Sequence, residues 1–293
     1  MDQAEQLRRI IKAESVVLTR PQARVITVTS GKGGVGKSNT AINLAIQFRK
    51  RNKRVVILDA DFGLANIEIM FGAVPKYNLR DLIYQGKSIK EIITWGPMDV
   101  GFISGGSGIS GLSNLSRDSL VYIIQKIAEL DSIADVIIID TGAGVSDAVM
   151  EFLVASGEIL LVVTPEPTSI TDAYSLLKVL GKHYKFSSEI TSVKMVANKV
   201  KSAKEGEMIF DKLNSVISHY LTIPVTYLGS VPEDSQLVKA VMQQQPVSLK
   251  EPQSKSAAAY EVITANLMGE EETQASEKGM KSFLTRFLNR GRQ

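Results

Sequence analysis

The stretch Arg24-Val25-Ile26-Thr27-Val28-Thr29-Ser30-Gly31-Lys32-Gly33-Gly34-Val35-Gly36-Lys37-Ser38 decides how this chain folds. An apolar strand runs straight into G-x-x-x-x-G-K-S, and Ala41-Ile42-Asn43-Leu44-Ala45-Ile46 then continues as a helix former. In that setting the spacing reads as a phosphate cradle rather than a chance glycine run. The glycines let successive backbone N–H groups turn inward at the positive end of a helix. Gly31, Lys32, Gly33, Gly34, Val35, Gly36, Lys37 and Ser38, with Asn39 following, form the candidate nucleotide loop. Lys37 would reach the β- and γ-phosphates of a nucleoside triphosphate, and the Ser38 hydroxyl would ligate Mg²⁺.

Working outward, strand-like runs alternate with helical patterns, which predicts βαβ units and a parallel sheet buried on both faces. The expected strands are 25–29, 55–58, 100–103, 136–139, 159–163, 193–197 and 225–228. Helices are expected near 40–50, 116–130, 147–155, 169–184, 205–220, 236–243 and 254–267. Residues 21–268 therefore read as one doubly wound α/β domain, with its ligand at the C-terminal strand ends. An arm of residues 1–20 precedes it. An acidic linker, 269–279, and a tail, 280–293, follow it.

Composition narrows the chemistry. Of 293 residues, 44% are hydrophobic and 22% charged, enough for one large soluble core. There is no cysteine, which excludes disulfides, thiolate metal sites and iron–sulfur ligation. A net charge of +3 makes no general demand for a nucleic-acid partner. No run of 18 apolar residues exists, so a cytoplasmic location is expected.

Two further acidic segments join the loop. Val56-Ile57-Leu58 runs into Asp59-Ala60-Asp61, placing two carboxylates at a strand end. Val136-Ile137-Ile138-Ile139-Asp140-Thr141-Gly142-Ala143-Gly144 is an apolar strand capped by an acid and a glycine turn. Asp140 would hold the Mg²⁺ shell, and Gly142 and Gly144 would let backbone approach a γ-phosphate.

The second lysine of the loop, Lys32, carries a resemblance. K-G-G-x-G-K-S is the deviant form of the phosphate loop, and the chain resembles the MinD/ParA family of dimerising ATPases. That resemblance implies an ATP-dependent homodimer in which Lys32 reaches the partner's phosphates. It implies that Asp61 orients the attacking water, with Asp59 structural or supporting the magnesium site. It also implies that Asn198 reads adenine while Pro232, Glu233 and Asp234 form the loop closing over the base. With ATP as substrate and no arginine finger in cis, hydrolysis is expected to be slow without a partner.

Met280, Phe283, Leu284, Phe287 and Leu288 fall on one helical stripe, bordered by Lys281, Arg286, Arg290 and Arg292. This pattern reads as a helix lying in an anionic membrane interface, the acidic linker and basic flanks disfavouring a seat on the core. It is similar to the C-terminal targeting helix of MinD. One short helix binds marginally, whereas two on an ATP-bound dimer gain avidity, so dimerisation would set location at the inner face of the cell membrane.

Residues 2–12, with Asp2, Gln3, Ala4, Leu7 and Arg8, match the D-Q-A-x-x-L-R motif of the flagellar MinD-like regulators, the FlhG type. The match implies that this arm stimulates FlhF, the signal-recognition-type GTPase of flagellar placement. Contacts with flagellar switch-complex (C-ring) proteins are implied too. Alternatives are a MinD-type division-site selector, which the arm argues against, and a ParA-like DNA-segregating ATPase, which needs a basic surface.

Overall fold

A computed structural model describes residues 22–61, 66–105, 127–269 and 279–288. The arm residues Asp2, Gln3, Ala4, Leu7 and Arg8 lie outside them, as do residues 62–65, most of the helix expected at 116–130, most of the linker, and Arg290. The side chains of Lys281 and Leu288 are outside the description as well.

Eight strands form one sheet in the order β3-β4-β2-β5-β1-β6-β7-β8. They are β1 (Arg24–Thr29), β2 (Val55–Ala60), β3 (Thr94–Trp95), β4 (Gly101–Ile103), β5 (Val136–Thr141), β6 (Glu158–Val163), β7 (Ser192–Val200) and β8 (Val225–Pro232). All neighbours are parallel except β3, a two-residue antiparallel edge too short to register as a strand in the sequence. Every residue of β2, β5 and β6 is buried, as expected of strands covered on both faces.

The principal helices are α1 (Lys37–Lys50), α2 (Asp147–Ala155), α3 (Pro167–Lys182), α4 (Ala203–Tyr220), α5 (Ser235–Met242), α6 (Lys255–Gly269) and α7 (Met280–Leu288). One face of the sheet is closed by α1 and α6 through a cluster that includes Ile42, Phe48, Tyr260 and Ile263. Buried polar groups set how α1 sits. The Asn43 carboxamide oxygen accepts from the Ser248 N–H at 2.9 Å, and the Gln47 amide donates to the Ala257 carbonyl at 3.4 Å. On the other face, α2, α3 and α4 pack over β6 and β7.

Two expectations are corrected here. The strands run further than the apolar runs that announce them, so Asn198 lies inside β7 and Pro232 closes the edge strand β8 rather than belonging to a loop. At an edge the missing N–H of proline costs no ladder bond.

The second correction concerns the tail. Its stripe is seated on the protein's own core: Met280, Phe283 and Leu284 are buried, and Phe287 packs against the same cluster. Phe152 of α2 meets Phe287 at 5.1 Å and Phe283 at 6.1 Å between ring centroids. Asp131 caps the helix, accepting from the Met280 N–H at 2.8 Å. The basic flanks do not forbid this seat: an amphipathic helix can bury its stripe in any apolar groove, and the Arg286 guanidinium goes in with it, its Nη2 donating to the Ser282 hydroxyl at 3.4 Å. Burial of each such side chain is worth about 1.5–3 kcal/mol.

Candidate functional site

The P-loop follows β1 directly, and two close approaches explain its glycines. A Cβ on Gly31 would stand 2.5 Å or less from the Asp172 and Ala173 backbone of α3. One on Gly36 would lie 2.4 Å from the Asn198 amide nitrogen, and Gly36 also holds φ +97°. Neither position accommodates a side chain.

Around this loop the fold gathers the acids that the sequence separates by many residues. Asp59 of β2 and Asp140 of β5 are register partners on adjacent parallel strands. Both are buried, and burial next to another carboxylate raises both pKa values: Asp59 to about 8, Asp140 to about 6. Asp59 accepts from the Asp61 N–H at 3.1 Å and from the Ile67 N–H at 3.5 Å. Asp61 is 3.5 Å from the Asn66 amide and faces the Gly142 turn. That turn is pinned to the loop by the Gly144 N–H, which donates to the Ser30 carbonyl at 2.9 Å.

Lys37 is 8% exposed. Desolvation pulls its pKa down while Asp140 and Asp61 push it back up, which puts all three groups in one electrostatic cluster. Asp140 is the test of a cation site. Both its oxygens are buried without a hydrogen-bond partner. Ser38 and Lys37 stand near enough to offset part of its pKa rise, yet neither satisfies it. An orphaned, desolvated carboxylate beside a hydroxyl is a donor set that a hard divalent cation fits.

The electrostatics predict a pH dependence. In the folded, nucleotide-free protein Asp59 and Asp140 bind protons at pH values where the unfolded chain, at an ordinary 3.8, has released them. The unfolded state then holds fewer protons, so stability falls as pH rises. Melting temperature should decline from about pH 4 to about pH 8, and Asp59→Asn should flatten the decline. A thermal melt series across that range checks it; an Asp59→Asn profile parallel to the parent's would refute the assignment.

Other expected residues are placed differently. Lys32 is held in cis: its ammonium contacts the Glu166 carboxylate at 2.5 Å and the Thr168 hydroxyl at 2.9 Å. Neither Glu166 nor Thr168 carries a motif that would have found it. Asn198 donates from its amide to the Val35 carbonyl at 2.7 Å and accepts from the Lys199 N–H at 2.9 Å. One amide hydrogen and one lone pair remain for a base. Asp234 is held by neighbouring helices. It caps α5 through the Gln236 N–H at 2.8 Å and binds both the N–H and hydroxyl of Ser256. Both Asp234 oxygens are thereby engaged at helix N-termini, within the segment expected to close over the base. Glu233 is exposed at the end of β8.

The ParA family profile, described as NUBPL iron-transfer P-loop NTPase, matches residues 22–268. This chain belongs to the ParA/MinD family of P-loop NTPases. The absence of cysteine leaves it no thiolate for iron–sulfur ligation. It is 38% identical over 240 residues to the antiactivator FleN of Pseudomonas aeruginosa, covering 82% of this chain and 84% of that one. It is 32% identical over 290 residues to the flagellum site-determining protein YlxH of Helicobacter pylori, covering 97% and 96%. In fold it resembles the cell-division ATPase MinD of Pyrococcus furiosus, with TM-score 0.67 at 24% identity, covering 84% of this chain and 99% of that one. Among the described residues no helix is long and apolar enough to cross a membrane.

Proposed function

We propose that this protein is an ATP-hydrolysing regulator of flagellar number and placement. It alternates between a monomer and an ATP-dependent, membrane-bound homodimer, and it activates the signal-recognition-type flagellar GTPase through residues 1–20. The observation that carries the ATPase reading is the convergence of Lys37, Asp61 and the unpartnered Asp140 on the P-loop. The flagellar reading draws support from the similarity to the flagellum site-determining protein YlxH and from the arm's motif.

In this reading Ser38 and the Asp140 shell would hold Mg²⁺, which would supply charge neutralisation to the bound phosphates. Lys37 binds those phosphates, while Asp61, held over the Gly142 turn, orients the attacking water. Asn198 reads the adenine edge with its remaining donor and acceptor. Pro232 and Glu233 border the base. Lys32 leaves Glu166 to reach the partner's nucleotide.

Membrane binding requires the tail to leave its groove. Helix α2 gives this a physical route: its N-terminus follows the Gly142–Gly144 turn, and its Phe152 holds the tail. A γ-phosphate that displaced the turn would shift α2 and loosen the seat. Met280, Phe283, Leu284, Phe287 and Leu288 would then enter the acyl boundary, with Lys281, Arg286 and Arg290 at the anionic headgroups.

The test compares ATP with ADP in the full-length protein. Light scattering reads the dimer, and co-sedimentation with anionic vesicles reads the membrane. GTP turnover of the flagellar GTPase reads the arm, with Gln3→Ala and Arg8→Ala as controls. Equal vesicle binding in ATP and ADP would overturn the switch, and an arm without effect on GTP turnover would overturn the GTPase role. A smaller effect is expected of Glu166→Gln. It frees Lys32 from an exposed ion pair, so the ATP-bound dimer fraction should rise about two- to fivefold. A fall in that fraction would show that Glu166 supports the interface instead.

A further inference from the structure

The end of β7 carries a feature that nucleotide reading does not explain. Between β7 and β8 the register runs Asn198↔Val231 and then Val200↔Pro232, so Lys199 is an extra residue on a bulge. It adopts φ +57°, a left-handed conformation that lysine takes only under constraint. From there its ammonium donates to the Gly34 carbonyl at 2.9 Å, while Asn198 donates to the Val35 carbonyl at 2.7 Å. Two consecutive carbonyls of the P-loop are therefore held by two consecutive residues of one bulge.

The consequence follows from peptide geometry. In a planar trans peptide the N–H points opposite to the C=O. Fixing the Gly34 carbonyl on Lys199 fixes the direction of the Val35 N–H, and fixing the Val35 carbonyl on Asn198 does the same for the Gly36 N–H. Both N–H groups then point away from the bulge, which is the orientation a phosphate nest needs. Gly36 has no Cβ to block this approach of Asn198, which links the glycine to the clamp. β-Bulges of this kind commonly re-aim a side chain next to a functional site.

We infer that Lys199 is a positioning residue for nucleotide binding, a clamp that orients the P-loop amides before the phosphates arrive. This rests on the nucleotide-site reading above. Lys199 touches no reacting atom; it acts through the Gly34–Val35 peptide. From its left-handed backbone on the bulge the side chain reaches the loop.

The test is the affinity of the full-length protein for MgADP, read by a fluorescent ADP analogue, in K199M, K199R and K199G. The expected Kd is about five- to tenfold weaker in K199M, the loss of one charge-assisted hydrogen bond. K199R should recover most of it. K199G relieves the positive φ, so its nucleotide-free melting temperature should not fall, yet it should bind as weakly as K199M. The K199M deficit should persist in about 0.5 M KCl, where through-space attraction between exposed charges is screened. Parental affinity in K199M or K199G overturns the clamp, and so does a deficit that vanishes at high salt. Lys37→Ala serves as the control for the site itself. A parent whose signal matches that of Lys37→Ala overturns the nucleotide-site reading, and the clamp with it.

Discussion

Phe152→Ala should release the tail without altering it, and nucleotide-free protein carrying this change should bind anionic vesicles far better than the parent. Phe152 sits on α2, in the groove, and meets Phe283 and Phe287 of the tail. Truncating a buried phenylalanine costs about 3–5 kcal/mol, part of it within the domain and part at the seat. If roughly 2 kcal/mol falls on the seat, the docking equilibrium moves by about thirtyfold. The membrane-facing stripe is untouched, so the gain reads the berth alone. Phe283→Asp is the matching control: it damages seat and stripe together, and vesicle binding should disappear in every nucleotide state. Co-sedimentation in the absence of nucleotide separates the cases. If Phe152→Ala binds vesicles no better than the parent, the groove does not restrain the tail.

Asp140→Asn should move activity and stability in opposite directions. ATP turnover should fall by about a hundredfold or more, because the carboxylate shares one electrostatic cluster with the Ser38 hydroxyl and the phosphate-binding lysine. Nucleotide-free stability should rise by about 1–3 kcal/mol, since Asp140 is buried, its oxygens lack a hydrogen-bond partner and it lies beside Asp59 on the neighbouring strand. Removing that neighbour should also bring the Asp59 carboxyl down from about 8 toward its ordinary range. Chemical denaturation and steady-state turnover, measured on the same preparation, check the pair. A destabilised Asp140→Asn protein with normal turnover would mean that Asp140 serves the fold and not the cation. Such opposition between stability and function is common where a site holds charge in readiness for a ligand.

The elements of the fold were legible because their signals are local. A run such as Val136–Ile139 marks a buried strand within a few residues, and Gly31–Ser38 marks a phosphate cradle by spacing alone. The alternation of such runs with helical patterns from residue 100 onward made the parallel sheet readable without any long-range information. Strand ends were less legible. β7 continues through Asn198 and Lys199 because its neighbour β8 pairs with it, although polar residues end its apolar run.

What only the tertiary structure decided are the meetings between distant segments. Asp59 faces Asp140 because β2 and β5 share a register, and no single window contains both. Lys32 meets Glu166 across 134 residues, and Lys199 meets Gly34 across 165. Asp234 belongs to a base-closing loop in the sequence reading, and only the fold brings Ser256 to its carboxylate. The tail is the clearest case. Its amphipathic period is local and determined by the sequence itself. Whether that stripe faces a membrane or Phe152 depends on which apolar surface is within reach, and that is a property of the packed whole. Sequence by itself determined the period, the cradle and the places of most strands along the chain, because these depend on neighbours a few residues apart. Partnership was left to the fold, because hydrophobic burial and electrostatic pairing act through space and are indifferent to distance along the chain.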